Sequence, residues 1–325
     1  MSSVTLTESA KLSQNELVAG IIENVVTVNK FFHVLPFDGI DGNALAYNRE
    51  NTLAPVATTG VGDTDGRIGP LVDSGTNQTE RTAAKDPATF TQVTSTLTTI
   101  LGDAEVNGLV QATRSGDGND QTSTQIASKA KSAGRKYQDM LINGDGTNYG
   151  FAGLLALCAS SQIIDTGNDG SDMTFDIMDE TMDAVVDKDG EVDWLAMNQR
   201  DIRSMNKLLR DLGGTSALDA IKLPSGAEVP AYRGSPVLRN DYIPITQTKG
   251  ASSGDCSTIF AGNLDDGSRQ HGIAGLTAST QAGLHVVDVG ESETKDERIW
   301  RVKWYAGLAL FSEKGLAMAQ GIQKA

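Results

Sequence analysis

The stretch DQTSTQIASKAKSAGRKYQDMLINGDGTNYGFAGLL, residues 120–155, carries the most information about the fold. Ile126, Ala130, Ala133, Tyr137 and Leu141 recur at three- and four-residue steps, which predicts one long helix over residues 120–143 with those side chains on its buried face. Asn143-Gly144-Asp145-Gly146 then supplies a stop, because glycine enters the left-handed conformation at low cost. Phe151-Ala152-Gly153-Leu154-Leu155 follows at once and returns the chain to a core.

Towards the N-terminus, Ser13 and Glu16 have capping-box spacing, and Leu17, Ile21 and Val25 continue as an apolar stripe. A helix is expected there, with Phe31 and Phe32 extending its apolar surface. Residues 43–47 and the Thr-rich residues 89–101 read as two strands. Between them, residues 48–88 hold Gly60, Gly62, Gly66, Gly69 and Gly75 and show no helical or strand period. Loops of this length inside a domain are uncommon and usually functional. A short helix is expected over residues 103–112.

Beyond residue 155, helices are expected over residues 176–186 and 199–212, with a short buried strand at Trp194-Leu195-Ala196-Met197 between them. Turn residues Gly234 and Pro236 break residues 228–242, and residues 257–264 form a further strand. The end is β-rich. Residues 284–289 form one strand, and within residues 299–311 Trp300, Val302 and Trp304 alternate with Arg301, Lys303 and Tyr305, the period of a half-buried strand. Helices and strands are mixed without strict alternation, so the class is α+β.

Composition narrows the function. The 325 residues carry a formal net charge of −15, which opposes general binding to nucleic acid or to an anionic membrane surface. The acidity also serves solubility alone. No run of about 20 apolar residues is present, and residues 1–11 lack the pattern of a signal peptide. Cys158 and Cys256 stand apart and read as small buried residues of a reducing compartment. His33, His271 and His285 have no metal-ligand spacing. Residues 165–176 mimic a calcium loop, but Gly167 replaces one oxygen ligand and Asp176 stands where a bidentate Glu belongs. The sequence contains no nucleophile elbow, phosphate loop or zinc-protease motif. No catalytic residue, cofactor or metal is therefore assigned.

Several segments in order resemble the major capsid proteins of tailed bacteriophages. The Asn143-Gly144-Asp145-Gly146-Thr147 turn with Phe151-Ala152-Gly153-Leu154-Leu155 behind it looks like the end of their spine helix. Asp193-Trp194-Leu195-Ala196-Met197-Asn198 before a helix, Gly234-Ser235-Pro236-Val237, Phe260-Ala261-Gly262-Asn263-Leu264 and Trp304-Tyr305-Ala306-Gly307-Leu308-Ala309-Leu310 resemble later elements of the same family. The resemblance implies the Hong Kong 97 phage capsid fold. It places an N-terminal arm at 1–35, an extended loop with flanking strands at 36–102, and a peripheral domain with the spine helix at 103–175. The axial domain takes 176–275, and peripheral C-terminal strands take 276–325.

It further implies a non-enzymatic shell protein that forms hexamers and pentamers of an icosahedral head around double-stranded DNA. Its partners would be many copies of itself, a portal at one vertex and packaged DNA held without sequence specificity, with a decoration protein as a further option. Some members begin with a cleavable assembly domain; here the arm starts near Met1, so either a separate scaffolding protein guides assembly or the sequence is already mature, and Met1 favours the scaffolding protein. Assembly would take place in the host bacterial cytoplasm, and the product would be the virion head.

Two charge patterns supply candidate intersubunit residues. Arg200, Arg203, Lys207 and Arg210 make a basic stripe on one expected helix, with Ile202, Met205, Leu209 and Leu212 on another face. Asp176, Asp179, Glu180, Asp183 and Asp187 make an acidic stripe on the helix before it. Each is either a solvated face or a contact with the opposite stripe of a neighbouring subunit, with Asp179 and Asp183 meeting Arg203 and Lys207. In the extended loop, Arg49, Arg67, Arg81 and Lys85 are the candidate contacts with a neighbour. The competing functions are an encapsulin-type compartment of the same fold, an acidic α+β hydrolase, and a surface-layer or filament protein.

Overall fold

The structure is a computed structural model that describes residues 31, 34–53, 87–114, 120–147, 149–186, 191–211, 219–222, 228–251 and 254–323. The helix expected after Ser13 lies outside them. The chain divides into two compact units: a body of residues Met1–Ala44 and Ser95–Ala325, and a smaller unit, Leu45–Thr94.

Two sheets form the body. The five-stranded sheet runs β1 (Phe37–Ile40), β12 (Ile273–Ala278), β14 (Glu297–Leu310), β13 (Leu284–Glu291), with β4 (Thr98–Asn107) on the other edge of β14. The eight-stranded sheet runs β5 (Ile163–Ile164), β15 (Leu316–Gln323), β11 (Ser257–Gly262), β7 (Trp194–Met197), β10 (Ser235–Arg239), β9 (Glu228–Tyr232), β8 (Asp219–Lys222); β6 (Ser171–Asp172) also pairs with β15. The helices are α1 (Gly108–Arg114), α2 (Gln121–Asn143), α3 (Leu154–Leu157), α4 (Phe175–Val186) and α5 (Gln199–Asp211).

The central strands of the eight-stranded sheet, β7, β11 and most of β15, are buried on both faces, which explains their apolar runs. Successive strand side chains point to opposite faces. Trp194 and Ala196 of β7 join Phe260 of β11 and Leu316 and Met318 of β15 in one apolar cluster. Leu195 and Met197 join Ile259, Ala261, Ala317 and Ala319 in the other, beneath α4 and α5. Strands covered twice read as continuous hydrophobic segments rather than alternating ones. Ser257 pairs with Ile322 but Thr258 with Gln320, so Gly321, at φ 92°, forms a bulge. The extra residue shifts the parity and puts Ile322 into the cluster with Ala317 and Ala319.

Helix α2 bears out the long helix read from the sequence. Asp120 caps it by accepting from the backbone N–H groups of Thr122 and Ser123 at 3.1 and 3.2 Å. Its C-terminal half is the buried half: Tyr137 is fully buried, with its ring 4.6 Å from Trp304 and 5.5 Å from Phe151. The stop has a different cause from the one expected. Gly144 is extended (φ −60°, ψ 131°), and only Gly146 is left-handed, at φ 71°. Gly144 is needed for close approach, because a Cβ there would lie 2.3 Å from the Phe151 carbonyl oxygen and 2.5 Å from that of Met140.

Two further expectations are corrected. Residues 103–107 are strand, not helix: β4 pairs with β14 from Thr98 to Asn107, and helix begins only at Gly108. Asp103 lies opposite Arg301, and its carboxylate accepts two bonds from that guanidinium at 2.8 Å each, so long-range pairing overrides a local helical preference. The strand expected over residues 89–101 is divided at Leu97, whose N–H bonds to Asn43, leaving β3 (Thr89–Thr96) and β4 as separate strands.

The smaller unit holds β2 (Ala44–Thr52) paired with β3 in a two-stranded sheet. Asn51 Nδ2 donates to Thr91 Oγ1 at 2.6 Å, and the Thr52 and Thr89 hydroxyls are 2.6 Å apart. None of the unit's described residues, 45–53 and 87–94, is buried, and Leu53 and Phe90 are 78% and 65% exposed.

Candidate functional site

The surfaces that matter most are the outer faces of α4 and α5 and the β2–β3 hairpin. Helix α4 buries Met178, Met182 and Val185 on the sheet. That orientation turns Asp176, Asp179, Glu180 and Asp183 away from the core. Tyr232 and Arg233 reach α4 from the β9–β10 hairpin. Ser235 pairs with Tyr232, so the loop is the dipeptide Arg233-Gly234, with φ values of 49° and 86°. Two positive φ values are the signature of the tight hairpin turn that matches strand twist. Arg233 Nη1 donates to Asp179 at 3.2 Å and to Asp183 at 3.0 Å, and the Tyr232 hydroxyl donates to Asp179 at 2.9 Å. Burial, then the Asp179 carboxylate, pushes the Tyr232 phenol above its ordinary range.

Arg233 was not visible as a site residue in the sequence. Gly234 announced the turn, but only the fold shows which helix that turn faces. Asp179 and Asp183, assigned from the sequence to a contact between subunits, are therefore engaged within the chain.

The basic stripe also changes. Arg200 does not belong to it: it is buried, with its Nε 3.2 Å from Asp201. Its Nη1 donates to the carbonyls of Ile245 and Asp255, and its Nη2 to that of Ile322. Asp201, fully buried, also accepts from Ser257 Oγ, and burial raises its pKa above the ordinary carboxylate range. The first turn of α5 lies over the ends of β11 and β15, where the nearby carbonyls need a donor. Arg200 therefore pins the helix to the sheet. Arg203, Lys207 and Arg210 remain exposed and form no hydrogen bond or ion pair with another described residue. Leu212 lies outside the described residues.

In the hairpin, the Arg49 guanidinium carbon lies 5.6 Å from the centre of the Tyr47 ring, a cation–π contact. Arg67, Arg81 and Lys85 lie outside the described residues. Elsewhere, Lys249 Nζ stands 3.7 Å from Asp165, placing an internal cation at the start of the calcium-like loop. Cys158 and Cys256 are buried as expected, and burial pushes the Cys158 thiol up to about 12. A groove lined by Thr98, Ile100, Lys136, Asp139, Asn143 and Tyr149 runs beside the end of α2.

The fold just described matches known structures over nearly the whole chain. A capsid of a native gene transfer agent (GTA) particle matches with a TM-score of 0.62 at 12% identity, covering 99% of each chain. The capsid of the myovirus XM1 matches at 0.59 and 12%, covering 99% of this chain and 100% of that one. The chain has the Hong Kong 97 phage capsid fold. The same capsid fold matches the holo-SrpI encapsulin of Synechococcus elongatus at 0.68 and 15% identity, covering 99% of this chain and 97% of the other. No family model matches the sequence, and no curated protein matches it. Of the elements read from the sequence, the long helix is α2 and the buried strand is β7; Trp304–Leu310, read as the last sheet strand, is the end of β14, and β15 follows it.

Proposed function

We propose that the chain is a shell protein that assembles with many copies of itself into a closed icosahedral particle, the head of a tailed phage around double-stranded DNA. The observation that carries this is the full-length match to phage capsid structures, with aligned coverage of 99% on both sides for the GTA capsid. At such low identity the likeness speaks for the fold, and the step to shell assembly draws on the hairpin unit. A two-stranded sheet alone is marginal in water, and this one leaves Leu53 and Phe90 largely exposed. Covering them with a neighbouring copy turns that weakness into an assembly contact.

In this reading the body around α2 and the five-stranded sheet is the peripheral domain. The eight-stranded sheet with α4 and α5 is the axial domain, and β15, which pairs with β11, is assigned to it, whereas the sequence reading places all of 276–325 in the peripheral domain. Arg49, with Arg67, Arg81 and Lys85, meets a neighbour through the extended loop. A separate scaffolding protein, a portal and, where present, a decoration protein complete the head, which assembles in the bacterial cytoplasm.

The test is electron microscopy of the purified chain, alone and with the scaffolding protein co-expressed. Closed particles of uniform size are expected, at least in the second case. A chain that stays monomeric or forms only amorphous aggregate in both cases overturns the proposal. An encapsulin-type compartment is the second reading, favoured by the TM-score of 0.68 to the SrpI shell. Mass spectrometry of particles from the native source separates the two: packaged DNA supports a phage head, and a single enclosed enzyme supports a compartment.

A further inference from the structure

Helices α4 and α5 pack on the same face of the eight-stranded sheet, through Met178, Met182 and Val185 and through Ile202 and Met205. Each presents a charged row outward. On α5 the row is Arg203, Lys207 and Arg210, all exposed and paired with no carboxylate among the described residues. On α4, Arg233 takes Asp179 and Asp183. Asp176 and Glu180 are left, exposed and with no side-chain hydrogen bond or ion pair to another described residue.

We propose that the cationic row of α5 docks on Asp176 and Glu180 of α4 in a second copy of this chain. The proposal rests on the shell reading for its setting and on charge complementarity for its geometry. Arg203 and Lys207 are four residues apart, as are Asp176 and Glu180, a step of about 6 Å along each axis, so two ion pairs fall into register together. The patch and its counterpart differ, so the contact is heterologous, the kind that propagates around a ring. Arg233 is a positioning residue: it engages both Asp179 and Asp183, holds the β9–β10 hairpin against α4, and leaves Asp176 and Glu180 for the partner. A chain of net charge −15 repels its own copies at long range, and a local opposite-charge patch sets which faces meet.

The test compares full-length wild type with four variants: R203E/K207E, D176K/E180K, their combination, and R203E/K207E combined with D179K/D183K. Sedimentation velocity reads subunit association, and micrographs read shells separately. Each row reversal alone should slow association by about tenfold at low salt, with the difference fading as added salt shortens the screening length. Combining R203E/K207E with D176K/E180K should restore the rate, whereas combining it with D179K/D183K should not, because Arg233 loses both carboxylates there. The proposal is overturned if the row reversals associate like wild type, if rescue comes from positions 179 and 183, or if the wild type stays monomeric. Charge-dependent association that never yields shells supports the docking contact and counts against the shell reading instead.

Discussion

The eight-stranded sheet and the β2–β3 pair are both built of strands but solve opposite problems, the first with apolar runs and the second with mainly polar ones. In the sheet, Trp194, Leu195, Ala196 and Met197 are completely buried, and their burial is the strand's stabilisation. In the hairpin no described residue from 45–53 or 87–94 is buried, and its cross-strand contacts are Thr and Asn side chains. Fixing a residue costs roughly 1–2 kcal/mol of backbone entropy, a cost that burial offsets in β7 and that no buried side chain offsets in the described residues of the β2–β3 unit. If the chain assembles as proposed, stability and assembly sit in different parts of one polypeptide, and each can be perturbed alone.

The largest effects should come from the body. Trp194→Ala removes a fully buried indole that stacks edge-on against Phe31 at 4.5 Å, and should cost about 3–5 kcal/mol in denaturant unfolding. A loss under about 1 kcal/mol would mean that the two-faced burial does not carry the fold. Arg200→Ala strands Asp201 as a buried carboxyl without its guanidinium, again a loss of about 3–5 kcal/mol near neutral pH. The sign of its pH dependence follows from the raised pKa of Asp201. The folded state binds that proton more readily than the unfolded one, so the group favours folding at low pH and opposes it as pH rises through the folded pKa. Without Arg200 the pKa rises further, so the variant's deficit relative to wild type should shrink as pH falls. A deficit that grows would break the account.

Smaller effects are expected at the cap of α2. Asp120→Ala should cost about 1 kcal/mol. Hydrogen bonds, first from Ser123 and then from Gln111, hold the Asp120 carboxyl down at about 2. Its contribution is complete above the unfolded carboxylate range and fades as pH falls towards 2, so wild type and variant melting temperatures should converge in acid.

The smallest effect on folding is expected in the hairpin, where it sharpens the comparison most. Leu53→Ser with Phe90→Ser should leave unfolding within about 0.5 kcal/mol of wild type while shell yield collapses. Unfolding losses like those of Trp194→Ala would place the hairpin inside the folding core, and normal shells would remove it from assembly.

How much was legible follows from the range of each interaction. Helix α2 could be read because a 3.6-residue period is a local signal, and β7 because an apolar run between turn residues leaves few alternatives. β4 could not: its partner lies about 200 residues away in β14, and nothing near Asp103 announces Arg301. Arg200 looked like its neighbours in the basic stripe because an i, i+3, i+7 pattern does not show where a core curves. Arg200 sits over the ends of β11 and β15, whereas Arg203, Lys207 and Arg210 on the following turns face water. The sequence by itself determined the class, the long helix α2 and the buried strand β7, all consequences of composition and short periods. The tertiary structure alone decided which charges are interior fasteners and which stay available to a partner, because burial of a side chain depends on residues hundreds of positions away.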